Sequence, residues 1–170
     1  MKKVLLIVNP KAGKGLIKGH LLEVVDTFVK SGMDVTVYPT QRRLDAFEMT
    51  KSRAQEFDLI VCSGGDGTLD EVVTGILEGK HNCPVGYIPA GSTNDFAHSL
   101  RIPSRAGEAA KIVVQDHPFA CDIGSFNGDY FVYVAAFGAF TEVSYKTTQD
   151  MKNLMGHLAY VLNGVNSLFS

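Results

Sequence analysis

The sequence has few cysteines, no surplus of either charge and no long apolar run, and each shortage excludes a class of protein. Its three cysteines have no metal-ligand spacing and cannot all pair with one another, which favours reduced thiols in a cytoplasmic protein. A net charge of −2 gives no general case for nucleic-acid binding. No segment is long and apolar enough to cross a bilayer. We therefore expect no transmembrane segment, no nucleic-acid partner and, at most, peripheral contact with the inner membrane face.

Apolar runs alternate with helical patterns through the first ninety residues. The runs predict strands over residues 4–8, 35–38, 59–62 and 85–88. Helices are predicted over residues 44–57 and 69–77, and an earlier one that ends near Gly32. The apolar positions of that earlier helix are Leu21, Leu22, Val25, Phe28 and Val29. This alternation predicts an α/β fold, a Rossmann-like parallel sheet with helices on both faces.

Three distinctive turns follow predicted strands of this sheet. We call residues 9–15 the first turn, residues 64–68 the second turn and residues 90–95 the third turn. In parallel sheets, ligands bind outside the carboxyl ends of the strands, where all three turns fall. The sequence therefore predicts a ligand site at one edge of the sheet.

The second turn, Gly-Gly-Asp-Gly-Thr, has the composition of a phosphate-binding turn. Glycines tolerate positive φ and leave backbone N–H groups free to approach phosphate oxygens, and the N-terminus of the following helix also favours anions. Thr68 and Glu71 have the spacing of a capping box. Asp66 among such amides indicates Mg²⁺ or a proton-transfer role. The alternative is a tight strand–helix turn with a solvated Asp66.

The other two turns carry weaker signals. The first turn matches neither the P-loop nor G-x-G-x-x-G, but Lys11 and Lys14 would neutralise phosphate charge; the alternative is a flexible basic turn. In the third turn, Gly91 and Ser92 suit phosphate or ribose. Asn94 and Asp95 either contact substrate or cap the next helix. The hydroxyl of Thr40, at the end of the second strand, would also reach a nucleotide.

The character of the chain changes after residue 118. Strands are predicted over residues 119–122 and 130–137, joined by a hairpin at Asn127-Gly128. We expect one domain over residues 1–120 and the beginning of a second, antiparallel domain over residues 121–170, incomplete at the end of this chain. Residues 151–169 carry an apolar helical stripe, which predicts packing on the second domain or, where uncovered, a homodimer.

With these turns placed, the sequence resembles the diacylglycerol kinase catalytic domain family, which includes bacterial lipid kinases and the sphingosine and ceramide kinases. The start of the first turn, Asn-Pro-Lys-Ala-Gly, and the run Gly-Ser-Thr-Asn-Asp-Phe-Ala of the third turn carry this resemblance. The second turn alone is shared with NAD kinases and phosphofructokinases. Asp122-Ile123-Gly124 is similar to the passage into the family's second domain, a β-sandwich.

The resemblance implies an ATP-dependent kinase that transfers phosphate to a lipid hydroxyl, such as that of diacylglycerol, at a membrane surface with Mg²⁺. From the residues themselves we also predict a catalytic role for Asp66 and substrate contacts at Asn94 and Asp95; no metal ligand is assigned. The nucleotide contacts that the resemblance implies are Asn9, Pro10, Lys11, Ala12, Gly13, Thr40, Gly64, Gly65, Asp66, Gly67, Thr68, Leu69, Asp70, Glu71 and Ser92.

The sequence departs from the family in two respects. Asp70 stands where the family usually has Asn, which adds negative charge beside the phosphates. Family members are also longer, and the C-terminal part of their second domain supplies the general base and further Mg²⁺ ligands. Two alternatives to a lipid kinase therefore stay open: an NAD kinase-like enzyme, and a nucleotide-binding module without catalysis.

Overall fold

The computed structural model describes residues 1–126 and 129–132. The chain divides into two compact units, Met1–Tyr133 and Val134–Ser170, and the described residues belong to the first unit. Asn127-Gly128, the end of the strand predicted over residues 130–137, and the apolar stripe over residues 151–169 lie outside the described residues. The prediction of a homodimer rests on that stripe and stays a prediction.

The core of the described unit is a four-stranded parallel sheet. Its strands are β1 (Lys2–Val8), β2 (Met33–Pro39), β3 (Leu59–Gly64) and β4 (Val85–Pro89), in the order β2-β1-β3-β4. Residues 4–8 of β1 are buried and apolar on both faces, as expected for a central parallel strand. All four predicted strands are confirmed, each one to three residues longer than its apolar run.

Helices cover both faces of this sheet, as the alternating pattern predicts. The helices are α1 (Ile17–Lys30), α2 (Asp45–Arg53), α3 (Asp66–Glu78), α4 (Asp95–Ser99) and α5 (Ala106–Val114). Helices α1 and α5 pack with Val4 and Leu6 on one face. Helices α2, α3 and α4 pack with Leu5 and Ile7 on the other. Adjacent β1 residues thus bury their side chains in two separate cores.

Two predicted helices differ in detail from the observed ones. Leu22 and Val29 are 80% and 56% exposed, because α1 buries Ile17, Val24 and Phe28 on its opposite side. Gly32, with φ of 76°, confirms the predicted stop. The helix predicted over residues 44–57 is interrupted: α2 ends at Arg53, and Ala54–Glu56 forms a short 3₁₀ helix. Helix α5 was not predicted from the sequence.

A second, two-stranded antiparallel sheet follows α5. It pairs β5 (Gly124–Phe126) with β6 (Asp129–Phe131), with Gly124 opposite Phe131. The α/β fold and the separate antiparallel sheet are confirmed. The strand predicted over residues 119–122 is wrong: no strand pairs with this segment among the described residues, and Phe119 is 65% exposed. The domain boundary near residue 120 stays a prediction.

Candidate functional site

The three turns lie together at the carboxyl edge of the parallel sheet. From β1 the chain crosses to β2 on one side, and β3 then joins the other side of β1. Such a reversal of strand order opens a crevice between the two central strands, and ligands of open α/β sheets bind there. The first turn follows β1 and the second turn follows β3, so these two turns flank the crevice.

Asn9 connects the first turn to the second. Its backbone N–H donates to the carbonyl oxygen of Ser63 at 2.8 Å, and its side-chain Nδ2 donates to Thr68 Oγ1 at 3.0 Å. Its Oδ1 accepts the backbone N–H of Lys11 at 3.0 Å, which folds the first turn over its own start. Its carbonyl oxygen accepts the N–H of Ala12 at 3.2 Å, so Asn9 both folds the first turn and fixes its position relative to β3 and α3.

Asp66 connects the second turn to the third. Its Oδ2 accepts the backbone N–H of Asp95 at 2.9 Å, and its Oδ1 accepts that of Phe96 at 3.3 Å. The backbone N–H of Ala90 also donates to the carbonyl oxygen of Gly64 at 2.8 Å. A carboxylate that accepts the first N–H groups of a helix caps its positive end. Asp66 therefore caps α4. The alternative interpretation, in which Asp66 is only solvated, does not describe this carboxylate.

The third turn is closed by Asn94, the residue before α4. Asn94 Oδ1 accepts the N–H of Gly91 at 2.8 Å, and Nδ2 donates to the carbonyl oxygen of Gly91 at 3.0 Å. Its backbone is left-handed, with φ of 53°, and its side chain makes no capping bond to α4. The prediction that the Asn94 side chain caps α4 is therefore wrong, because the Asp66 carboxylate accepts the first N–H groups of α4 instead. The buried Tyr87 hydroxyl of β4 donates to the carbonyl oxygen of Gly64 at 3.2 Å and lies 3.4 Å from Asn94 Oδ1, so it contacts both the second and the third turn.

Glycine is required where the turns touch. Gly13 has φ of 52°, and a Cβ on it would lie 2.6 Å from the carbonyl oxygen of Ala90. A Cβ on Gly91 would lie 2.6 Å from Gly65 Cα. Gly65 itself has φ of −92°, so positive φ is not the reason for glycine there. Each contact leaves room for backbone only, which joins the three turns into one surface.

The predicted capping box at the start of α3 is wrong. The helix begins at Asp66 with Gly65 as its N-cap residue, so Thr68 is already the third residue of the helix. Thr68 Oγ1 accepts from Asn9, and Glu71 Oε1 accepts the backbone N–H of Leu44 at 3.0 Å. Both side chains therefore connect α3 to other segments. The first N–H groups of α3 have no partner within the helix, as at any helix N-terminus.

Thr40 lies at the same edge, beyond the end of β2. Its N–H donates to the carbonyl oxygen of Val8 at 2.8 Å, which holds it beside the first turn. The adjacent Asp45 is only 7% exposed, and its carboxylate accepts the Tyr38 hydroxyl at 3.1 Å and the N–H of Gln41 at 2.7 Å. Sequence reasoning missed Asp45 and Tyr87, because neither belongs to a motif; a buried carboxylate is visible only in the fold.

The charged side chains of the site are mainly carboxylates on α3 and lysines in the first turn. Burial raises the pKa of the Asp70 carboxyl; the N–H of Val132, 3.0 Å from Oδ1, lowers it, and the charge of Asp66 raises it further. Lys11 and Lys14 are exposed, and neither forms an ion pair with another described residue. The arrangement suits an anion at the turns with a cation beside the carboxylates.

Three further features bear on what the site would hold. Ser63 Oγ, one residue before the second turn, is buried and finds no hydrogen-bond partner in the part of the chain described. Buried polar groups are nearly always paired, so we expect a water molecule or a ligand oxygen as its partner. Residues 1–126 and 129–132 contain no group of three or more side chains arranged to hold a metal ion. Leu69 packs in the core and offers no polar side-chain contact.

Comparisons with known proteins agree on one family. The model of the diacylglycerol kinase catalytic domain matches residues 3–126. A diacylglycerol kinase of Staphylococcus carnosus is 38% identical over 168 residues, which are 98% of this chain and 55% of that protein. A diacylglycerol kinase of Bacillus subtilis is 39% identical over 170 residues, 99% of this chain and 56% of that protein.

A solved structure shows the same relationship. The crystal structure of a diacylglycerol kinase from Bacillus anthracis aligns with a TM-score of 0.71 and 35% identity, over 76% of this chain and 45% of that one. The chain thus spans about half the length of the curated relatives that it matches. In the residues that the structure describes, no helix is long and apolar enough to span a membrane.

Proposed function

The chain belongs to the diacylglycerol kinase catalytic domain family, and we propose that it binds ATP on its three turns for transfer of the γ-phosphate to a lipid hydroxyl such as that of diacylglycerol. The observation that carries this proposal is the single surface made by the three turns at the strand-order reversal. Asn9, Asp66 and the contact between Gly13 and Ala90 join its parts. We also propose that residues 1–120 form the ATP-binding domain and residues 121–170 begin the second domain.

The phosphates would bind to backbone N–H groups of the first and second turns. The N-terminus of α3 adds the positive end of a thirteen-residue helix. Lys11 and Lys14 lie beside this surface and would balance phosphate charge. Thr40, beyond β2, would contact the nucleoside half, and Ser92 would contact ATP from the third turn. Ala12 and Leu69 are buried, and their N–H groups donate to the carbonyl oxygens of Asn9 and Gly65, so these two residues would shape the turns that receive the phosphates.

Asp66 is proposed as the catalytic carboxylate of this site. Each of its oxygens accepts one N–H from α4, which leaves lone pairs for a further partner. Its bonds to Asp95 and Phe96 hold it in a fixed position relative to the turns. When bound, Mg²⁺ would neutralise charge on the phosphates, and the carboxylates of Asp66 and Asp70 are of the type that it prefers.

The lipid acceptor would be approached through the third turn. Both polar atoms of the Asn94 side chain bond to Gly91, so Asn94 would act by shaping the turn. Asp95 carries the carboxylate that is left to contact an acceptor hydroxyl. We propose a cytoplasmic protein that meets its lipid at the inner membrane face. In the described residues, no helix is long and apolar enough to span a membrane, which agrees with this proposal.

Calorimetry and a transfer assay together test the proposal. Titration with MgATP is expected to show one binding site per chain. Radiolabelled ATP is then supplied with diacylglycerol in detergent micelles and, in parallel, with NAD. Label in the lipid supports the lipid kinase, and label in NAD supports the alternative that shares the second turn. Binding without transfer to either acceptor indicates a nucleotide-binding module, and no binding of ATP contradicts the proposal.

A further inference from the structure

The turn between β2 and α2 is exposed yet fixed at several points. All four of its residues, 41–44, are exposed. Gln41 Nε2 donates to the carbonyl oxygen of Pro39 at 2.8 Å, and Arg42 forms a two-bond ion pair with Glu48, 2.6 Å at its shorter bond. Exposed loops with few bonds open easily. This turn has a bond at its beginning, its middle and its end, which requires an explanation.

The beginning of the turn is held by Asp45. This buried carboxylate accepts the Tyr38 hydroxyl from β2 and the Gln41 N–H from the turn. Among the described residues Asp45 forms no ion pair, and its charge is offset by these two donors and by the nearby guanidinium of Arg42. A buried carboxylate needs its hydrogen bonds. Asp45 therefore ties Gln41 to β2 and keeps the neighbouring Thr40 in place.

The end of the turn is held from another helix. Leu44 is the N-cap residue of α2 and has a left-handed backbone with φ of 63°, which a leucine seldom adopts. Its side chain has no oxygen with which to cap the helix. Instead its N–H donates to Glu71 Oε1, 3.0 Å away on α3. The helix that begins at the second turn thus fixes the conformation of the turn after β2.

We infer that Glu71 and Asp45 are positioning residues, which fix residues 40–44 as the nucleoside-binding wall of the site. Glu71 acts through the Leu44 N–H and not by touching phosphate. This inference rests on the proposed function. Phosphates at the second turn leave the ribose and base to extend past β1 towards β2, where ribose contacts of doubly wound folds are made. Glu71 couples that wall to the helix on which the phosphates bind.

Two ligands separate this role from direct phosphate contact. Tripolyphosphate carries the phosphates of ATP without its nucleoside. For Glu71→Ala in the full chain, we expect roughly tenfold weaker ATP binding, because residues 40–44 are then no longer held from α3. Tripolyphosphate affinity is expected to stay as in the wild type. Glu71→Gln keeps a carbonyl acceptor for Leu44 and is expected to bind ATP as the wild type does.

Glu78→Ala is the matched control. Glu78 lies on α3 and pairs with Lys51 of α2 at 2.8 Å, so this change removes the same charge and also a contact between the same helices. It leaves residues 40–44 untouched, and ATP affinity is expected to be unchanged. Without any ligand, hydrogen exchange at the Leu44 amide is expected to accelerate in Glu71→Ala and to stay slow in Glu71→Gln and Glu78→Ala.

Distinct outcomes overturn the inference and the proposed function. Equal losses of ATP and tripolyphosphate affinity in Glu71→Ala, or a loss in Glu71→Gln as large as in Glu71→Ala, would assign Glu71 to direct phosphate or cation contact. If the hydrogen exchange rate of the Leu44 amide were the same in Glu71→Ala as in the wild type, that result alone would contradict the positioning role. A wild-type chain that binds neither ligand, with slow Leu44 exchange, would contradict the proposed function while leaving the structural link intact.

Discussion

The first and second turns occupy equivalent places after adjacent strands, but they are held very differently. The second turn is joined to the third by the Asp66 carboxylate, by a backbone bond from Ala90 and by the Tyr87 hydroxyl, which contacts Gly64 and Asn94. The first turn is joined to the second through Asn9, and its Lys11 and Lys14 are exposed. Changes at the second-turn residues that contact the third turn should therefore damage fold and site together, whereas a change at Asn9 of the first turn should affect mainly the ligand.

The largest effect is expected from Gly65→Val. A Cβ at residue 65 would lie 3.2 Å from Gly91 Cα, and the further methyl groups of valine would push the second and third turns apart. We expect ATP affinity to fall by roughly 100-fold or more. Calorimetry with MgATP checks this, and wild-type affinity in a folded variant would show that the contact does not matter to the ligand.

Gly67→Ala is the control for that substitution. Gly67 belongs to the second turn and is the second residue of α3. A Cβ there would meet nothing within 4 Å. Alanine in a helix is favoured over glycine by about 1 kcal/mol, so the chain should become slightly more stable. ATP affinity is expected to change less than threefold, about 0.7 kcal/mol. A loss as large as that of Gly65→Val would mean that any side chain in this turn blocks the ligand.

The second largest effect is expected from Asp66→Asn. Asparagine keeps one oxygen as acceptor but loses the charge, so the bonds to Asp95 and Phe96 weaken. We expect thermal or urea unfolding to show a loss of about 1–2 kcal/mol. Where phosphoryl transfer is measured, turnover should fall far more than ATP affinity. Unchanged turnover with reduced stability would make Asp66 a structural cap alone.

A smaller and different effect is expected from Asn9→Asp in the first turn. Aspartate keeps the acceptor for the Lys11 N–H but removes the donor to Thr68 Oγ1 and adds a negative charge near the phosphates. We expect ATP affinity to fall roughly tenfold and stability to change by less than about 1 kcal/mol. A stability loss equal to that of Asp66→Asn would abolish the contrast between the two turns.

The smallest effect is expected from Asp70→Asn. Burial raises the pKa of Asp70 above the ordinary 3.8, so the folded state holds its proton more tightly than the unfolded state does. Its ionisation therefore costs stability, and this cost appears as pH rises from 3.8 through the folded pKa. Asparagine avoids the cost and still accepts the N–H of Val132.

The melting temperature of Asp70→Asn should therefore exceed that of the wild type at pH 7, by less than about 4 °C. The gain should shrink as pH falls towards 3.8, where the wild-type carboxyl becomes protonated in both states. Thermal melts at several pH values check the sign. A variant that is less stable at pH 7 would mean that the charge of Asp70 strengthens its bond to Val132 by more than burial costs.

Much of the fold follows from local pattern. The apolar run at residues 4–8 and the stop at Gly32 predicted β1 and the end of α1, because a buried strand and a left-handed glycine leave direct signatures in sequence. The nearness of the three turns followed from the rule that parallel strands end at one edge. The strand expected at residues 119–122 failed, because apolar alternation does not reveal whether a partner strand is present.

The links within the site could not be predicted, because they join residues far apart in sequence. Asp66 caps a helix that begins 29 residues later, and Glu71 bonds to a residue 27 positions earlier. The local capping-box spacing of Thr68 and Glu71 suggested a partnership that tertiary contacts replaced. Such carboxylates satisfy whichever N–H groups the fold brings to them, and only the packed structure identifies those groups.

Hydrogen exchange of the 170-residue chain with and without MgATP tests the central claim, that the three turns form one nucleotide site. We expect slower amide exchange on binding at residues 9–15, 64–68 and 90–95 together, and at residues 40–44. The exposed residues Asp34 and Thr36 of β2 and the ion-paired end of α2 should exchange as in the free chain. Protection confined to a single turn, or located away from the carboxyl edge of the sheet, would contradict the claim.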